Sequence, residues 1–63
     1  MKNYFLSVEF HTREFHKFVA GIIQANIAND NLLDLAKQII LSEYKNIDVS
    51  VLTIQVIAFN NID

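Results

Sequence analysis

The chain begins with a regular alternation of apolar and polar side chains. The even positions from Tyr4 to Phe10 are all apolar, while the odd positions change from apolar at Phe5 to polar at Ser7 and Glu9. Successive side chains of a strand point to opposite faces of its sheet. The pattern therefore predicts a half-buried strand over residues 4–10.

The apolar run from Phe18 to Ile27 fits two interpretations. As a helix, it would present one apolar face, with Thr12 as its N-cap. As a strand, it would explain Gly21, which costs a helix up to about 1 kcal/mol relative to Ala. It would also explain the many β-branched side chains, which are stiff in a helix. We therefore favour a second strand, and a helix within residues 13–27 remains the alternative.

A helix is predicted over residues 32–44. Asn31 and Asp30 are both able to accept the first free backbone amides of a helix, and Asp34 places a negative charge in the first turn, where the helix dipole favours it. The apolar residues that follow recur at helical spacing and form a broad stripe. They are Leu32, Leu35, Ala36, Ile39, Ile40 and Tyr44.

Residues 48–59 read as a strand that is apolar on both faces. The first face carries Val49, Val51, Ile57 and Phe59 around Thr53 and Gln55. The second carries Leu52, Ile54, Val56 and Ala58 after Ser50. The helix is able to cover only one of these faces, so we expect the other to be covered by a second copy or by another protein.

These elements predict a single small α+β domain over residues 1–63. It is a two-layer β-β-α-β domain, in which one helix packs on one face of a three-stranded sheet. A right-handed crossover places the last strand parallel to the second and most simply beside the first, where it forms an edge. The alternative order is β-α-α-β, which leaves only two strands.

Size and composition favour self-association. A chain of 63 residues forms a marginal core, and this one has no Cys for disulfides or thiolate metal sites. The net charge is −2, and the five basic residues are spread along the chain, which disfavours a nucleic-acid-binding patch. With no predicted signal peptide or membrane-spanning segment, we expect a soluble cytoplasmic protein that forms a homodimer.

Four segments stand in an order that resembles very small phage and prophage proteins of unassigned function with a β-β-α-β layout. They are residues 1–7, residues 18–23 with Gly21, residues 31–40 and residues 49–54. The resemblance spans nearly the whole chain. It implies an accessory or anti-defence factor that binds a host protein, and it carries over no catalytic residue.

The polar residues do not form a recognisable catalytic or metal-binding motif. His11 and His16 are flanked by Glu9 and Glu14, but their spacing matches no established metal motif. The serines have no partner base at the sequence level, and a single Gly is too few for a phosphate-binding loop. We therefore predict no catalytic residue, no metal site and no cofactor.

We predict a non-catalytic protein-interaction module, with a candidate interface on the sheet face opposite the helix. Its residues are Phe5, Phe18, Ile22, Val51, Thr53, Ile57 and Phe59. One alternative is a nucleic-acid-binding module in which these aromatic residues stack on bases. Another is a small oligomeric enzyme with a site between subunits.

Overall fold

A computed structural model describes residues 1–26 and 28–63 of the chain. It contains strands β1 (Lys2–His11), β2 (His16–Ala25) and β3 (Thr53–Asn61) and helix α1 (Leu32–Glu43). A short 3-10 helix, Val49–Val51, precedes β3. The element order β-β-α-β and the single three-stranded sheet confirm the predicted α+β fold.

The three strands lie in the order β2-β1-β3, and both outer strands are antiparallel to β1. β2 and β3 are consequently parallel to each other and lie on opposite sides of β1, as the predicted crossover requires. The first pairing is an unbroken hairpin from Lys2 opposite Ala25 to His11 opposite His16. The sheet therefore has two free edges, one along β2 and one along β3.

The second apolar run is a strand, so the β-α-α-β alternative is wrong. Thr12 belongs to the hairpin turn, where its backbone amide donates to the Phe15 carbonyl and its Oγ1 accepts from the Glu14 amide. Gly21 faces α1, and a Cβ at this position would lie 3.4 Å from Ile39 Cδ1. At that distance a Cβ would make an ordinary van der Waals contact, so Ile39 of α1 packs directly over this position. The predicted extension of this strand to Ile27 lies outside the described residues.

Helix α1 begins where the sequence predicts. Asn31 is the N-cap, and its Oδ1 accepts from the amides of Leu33 at 2.8 Å and Asp34 at 3.4 Å. The side of the helix that faces the sheet is buried. It consists of Leu35, Ala36, Ile39 and Ile40.

Replacing the cap with alanine is expected to destabilise the chain moderately. Asn31→Ala leaves two first-turn amides without their side-chain acceptor, which costs about 1 kcal/mol of unfolding free energy. Asn31→Asp preserves an acceptor and serves as the control. Urea unfolding followed by circular dichroism measures both variants, and equal losses for the two would contradict the capping role.

The core lies between α1 and the even-numbered side chains of β1. Leu6, Val8 and Phe10 are fully buried, and Tyr4 is nearly so. The Phe10 ring makes edge contacts with Phe15 and Tyr44, at centroid distances of 6.3 and 5.4 Å. The central strand thus supplies the largest part of the apolar core.

The predicted start of the last strand is wrong, because residues 49–51 form a 3-10 turn. Asp48 Oδ1 accepts hydrogen bonds from the hydroxyl and the backbone amide of Ser50, at 2.6 and 3.0 Å. The hydrogen bond from the Ser50 hydroxyl, and to a smaller extent the bond from the Ser50 amide, keeps the pKa of Asp48 below its ordinary value. Such local bonds give the backbone an alternative to sheet pairing. Val51 therefore does not lie on the sheet.

A β-bulge in β3 reverses the predicted position of Phe59. Val56 lies opposite Val8, whereas the next paired residue of β3, Ala58, lies opposite Ser7, so Ile57 is the extra residue. Beyond the bulge, Phe59 falls on the helix side of the sheet and stacks on Tyr4 at a centroid distance of 4.7 Å. Phe59 is part of the core periphery and does not belong to the opposite face.

Candidate interaction surface

The sheet face opposite α1, called the open face below, is not covered by any described element of the chain. Its composition follows from the register of the three strands. β1 contributes Phe5, Ser7, Glu9 and His11, β2 contributes His16, Phe18, Ala20, Ile22 and Gln24, and β3 contributes Thr53, Gln55, Ile57, Ala58 and Asn60.

Four large apolar side chains of the open face are exposed to solvent. Their exposed fractions are 37% for Phe5, 59% for Phe18, 67% for Ile22 and 53% for Ile57. All four belong to the sequence-predicted interface. Thr53, also predicted, lies exposed at the end of the same face, opposite His11.

The register brings these apolar side chains near one another. Phe5 lies directly opposite Ile22, and Phe18 lies opposite Glu9 further along the same two strands. Directly opposed side chains in a sheet are close enough to contact each other. The ring of His16 lies 5.0 Å from that of Phe18 and flanks it on the same strand. An apolar patch thus extends across β1 and β2, with Ile57 on the far side of β1.

The charged groups of the open face are few and partly paired. His16 Nε2 lies 3.0 Å from Glu9 Oε1, and the rings of His11 and His16 are 5.8 Å apart in an edge contact. None of the strand residues on this face is Lys or Arg. Within the described ranges, no group of three or more His, Asp or Glu side chains is placed to hold a metal ion. The face is therefore mainly apolar, and Glu9, His11 and His16 are the ionisable side chains among its strand residues.

Two predicted interface residues lie elsewhere. Val51, 64% exposed, lines an open groove between the β1–β2 turn and the segment before β3, together with Arg13 and Leu52. Phe59 lies on the helix side, as described above. The open face accordingly keeps five of the seven predicted residues as neighbours on one surface: Phe5, Phe18, Ile22, Thr53 and Ile57.

The predicted interface does not include Ala20, which lies in the middle of the edge strand β2. Ala20 is exposed on the open face opposite Ser7, and Ala58 lies opposite Ser7 from the other side. Ala20 can be placed on this face from the sequence once residues 16–25 are assigned to a strand. Only a strand places Ala20 midway between Phe18 and Ile22 on one face.

None of the helices in the described ranges has both the length and the apolar character needed to cross a membrane. Comparisons with protein family models, with curated proteins and with solved structures find no match for this chain.

Proposed function

We propose that this chain is a small non-catalytic protein-interaction module that binds another protein through the open face and self-associates as a homodimer. The observation that carries the proposal is the exposure of Phe5, Phe18, Ile22 and Ile57 on one face of a single sheet. Large exposed apolar patches with a polar rim are typical of protein-binding surfaces, and aromatic side chains are frequent anchors in them.

The composition of the face favours a protein partner over a nucleic acid. Binding to a phosphate backbone requires Lys or Arg near the stacking aromatics. The open face presents Phe5 and Phe18 without either type of residue, and the whole chain has a net charge of −2. A protein with an apolar patch of its own is the partner that this surface fits best.

The resemblance to small phage and prophage proteins suggests the setting of this activity. In that setting, the chain would act in the cytoplasm as an accessory or anti-defence factor, and its partner would be a host protein. An apolar sheet face suits binding to a preformed partner surface, because the strands hold the side chains in place before contact.

The proposed binding surface is tested by placing a lysine on its β3 side. We expect Ile57→Lys to weaken capture of the partner by at least about tenfold, because a charge is desolvated within the apolar interface. The matched control is Leu33→Lys, which alters an apolar side chain of α1 that is 47% exposed. It should leave capture unchanged.

The measurement is affinity capture from a lysate of the organism that encodes the chain, followed by quantitative mass spectrometry. The proposal requires one protein that is retained by the wild type and by Leu33→Lys and lost with Ile57→Lys. If both variants retain every captured protein equally, the open face is not the binding surface. If single-stranded DNA or RNA binds the wild type and Ile57→Lys abolishes this binding, the nucleic-acid alternative replaces the proposal.

A further inference from the structure

We propose that a second copy of this chain pairs with the free edge of β2, in antiparallel orientation about a two-fold axis at Ala20. The two three-stranded sheets would then form one continuous six-stranded sheet. The inference rests on the self-association in the proposed function, and it assigns that association to β2 rather than to the open face or to the last strand, β3.

The free edge of β2 offers regularly spaced backbone groups. In the hairpin, the Thr12 amide bonds to the Phe15 carbonyl, and Leu6 lies opposite Gly21. Hydrogen-bonded and non-bonded pairs alternate along an antiparallel ladder, so the odd-numbered residues of β2 bond to β1. The amides and carbonyls of the even-numbered residues therefore point away from β1, toward a prospective partner strand.

The same residues that present free backbone groups also carry the exposed apolar side chains. Phe18 and Ile22 are the two most exposed large apolar side chains of the sheet face, and Ala20 lies between them. Pairing at this edge would satisfy the backbone groups and bring these side chains into cross-strand contact with those of the second copy. Main-chain pairing supplies affinity and side-chain contacts supply specificity in such strand additions.

β2 also lacks the features that normally protect an edge strand. Its ten residues contain no Pro and no charge between Phe18 and Ala25, and its pairing with β1 has no bulge. The β3 edge differs, because the bulge at Ile57 interrupts its regular ladder and its last two residues are Asn60 and Asn61. Charges, prolines and bulges are the usual devices against edge pairing. β2 is thus the edge that remains suited to it.

The side chains on the open side of β2 are arranged nearly symmetrically about Ala20, with a large apolar side chain two residues away on each side and a polar one four residues away. In chain order they are His16, Phe18, Ala20, Ile22 and Gln24. A two-fold axis at Ala20 places Phe18 opposite Ile22 of the second copy, and it places His16 opposite Gln24. An isologous interface requires such self-complementarity. The aromatic and β-branched residues that face each other are a favourable cross-strand pair.

No like charges oppose each other along this edge. The two basic residues at the start of β2 are engaged within their own chain. His16 contacts Glu9, and Lys17 Nζ lies 5.9 Å from the centre of the Tyr44 ring. The β2 strands of two copies would therefore pair without opposed like charges, which favours a second copy as the occupant of the edge.

A pair of matched lysine variants tests which part of the sheet forms the dimer. Ala20 and Ala58 lie on the open face on either side of Ser7, in β2 and β3 respectively. In the proposed dimer, Ala20→Lys places two lysines opposite each other on the axis. We expect its dimer dissociation constant to rise by at least about tenfold. Ala58→Lys should change that constant by less than about threefold.

Analytical ultracentrifugation over a concentration series measures these dissociation constants, and circular dichroism checks that each variant is folded. Thr53→Lys, an exposed position on β3, replaces Ala58→Lys if the latter fails to fold. Equal weakening by both variants would indicate face-to-face association, and weakening by the β3 variant alone would indicate the β3 edge. Either result overturns the inference, as does a wild type that remains monomeric at high micromolar concentration.

Cross-linking provides an independent readout. Directly opposite residues in a hydrogen-bonded antiparallel pair have Cα atoms about 5.5 Å apart, within the range that a disulfide spans. Because the chain has no cysteine, Ala20→Cys should form a single covalent dimer under mild oxidation, and Ala58→Cys should not. Loss of partner capture with an intact β2 dimer would refute only the proposed protein binding. Partner capture by a monomeric wild type would refute the inference and the self-association on which it rests, and it would leave the proposed protein binding unaffected.

Discussion

Phe10→Ala is expected to remove a large part or all of the stability of the fold. The Phe10 side chain is fully buried, and its ring contacts those of Phe15 and Tyr44. Truncating a buried Phe to Ala costs about 3 to 5 kcal/mol, since the apolar transfer energy is lost and a cavity remains. A domain of this size has a total stability of about 3 to 9 kcal/mol. The loss therefore consumes a large part or all of it.

The matched control is Phe5→Ala, on the same strand but on the open face. Phe5 is 37% exposed, so we expect a loss of about 1 to 2 kcal/mol and a folded chain. Urea unfolding at one low protein concentration, followed by circular dichroism, gives the free energy of unfolding of both variants. Similar losses for Phe5→Ala and Phe10→Ala would contradict the assignment of one buried and one open face.

The elements with strong local signals were predictable from the sequence. The alternation around Leu6 and Val8 gave the central strand, and Asn31 with the apolar stripe that follows gave helix α1 to within one residue of its end at Glu43. Gly21 favoured the second strand over a helix. In each case, the deciding interactions lie within a few residues along the chain, or the side-chain period repeats for several residues.

The two errors in the last third have local causes that the apolar pattern does not reveal. Asp48 binds Ser50 through its side chain and turns the backbone before the strand begins at Thr53. The bulge at Ile57 depends on how β3 pairs with β1, which is a tertiary property. Alternation alone therefore placed Val51 and Phe59 on the wrong surface.

The interaction surface was predictable in part for the same reason. The open-face positions of Phe5, Phe18, Ile22 and Ile57 follow from strand alternation within regions that were correctly assigned. The difference between the two edges was not predictable, because it requires the strand order and the position of the bulge. The predicted crossover makes the last strand an edge, and the observed register shows that β2 is the edge with the regular ladder.

Phe59→Ala is expected to lower the free energy of unfolding by about 2 to 3 kcal/mol and to leave self-association unchanged. The ring of Phe59 stacks on Tyr4 with planes 14° apart and packs at the edge of the core. Removing the Phe59 ring reduces the buried apolar area and eliminates the stacking contact with Tyr4. Urea unfolding and ultracentrifugation measure the two effects separately. A stable variant with weakened association would instead place Phe59 on the open face.

Deleting Ile57 tests whether the bulge puts Phe59 on the helix side of the sheet. Because of the bulge, Ile57 is the one residue of β3 without a partner on β1. Its removal joins Val56 to Ala58 and leaves a regular ladder, so Val56 and Phe59 both stay on the helix side. We expect the deletion variant to fold, with a change in unfolding free energy of about 1 kcal/mol or less, and to retain nuclear Overhauser contacts between Tyr4 and Phe59.

Deletion of Ala20 is the control. It lies in an unbulged strand, so its loss turns the apolar side chains on one side of the gap to the opposite face. Unfolding of both deletion variants would show that β3 alternates without a bulge.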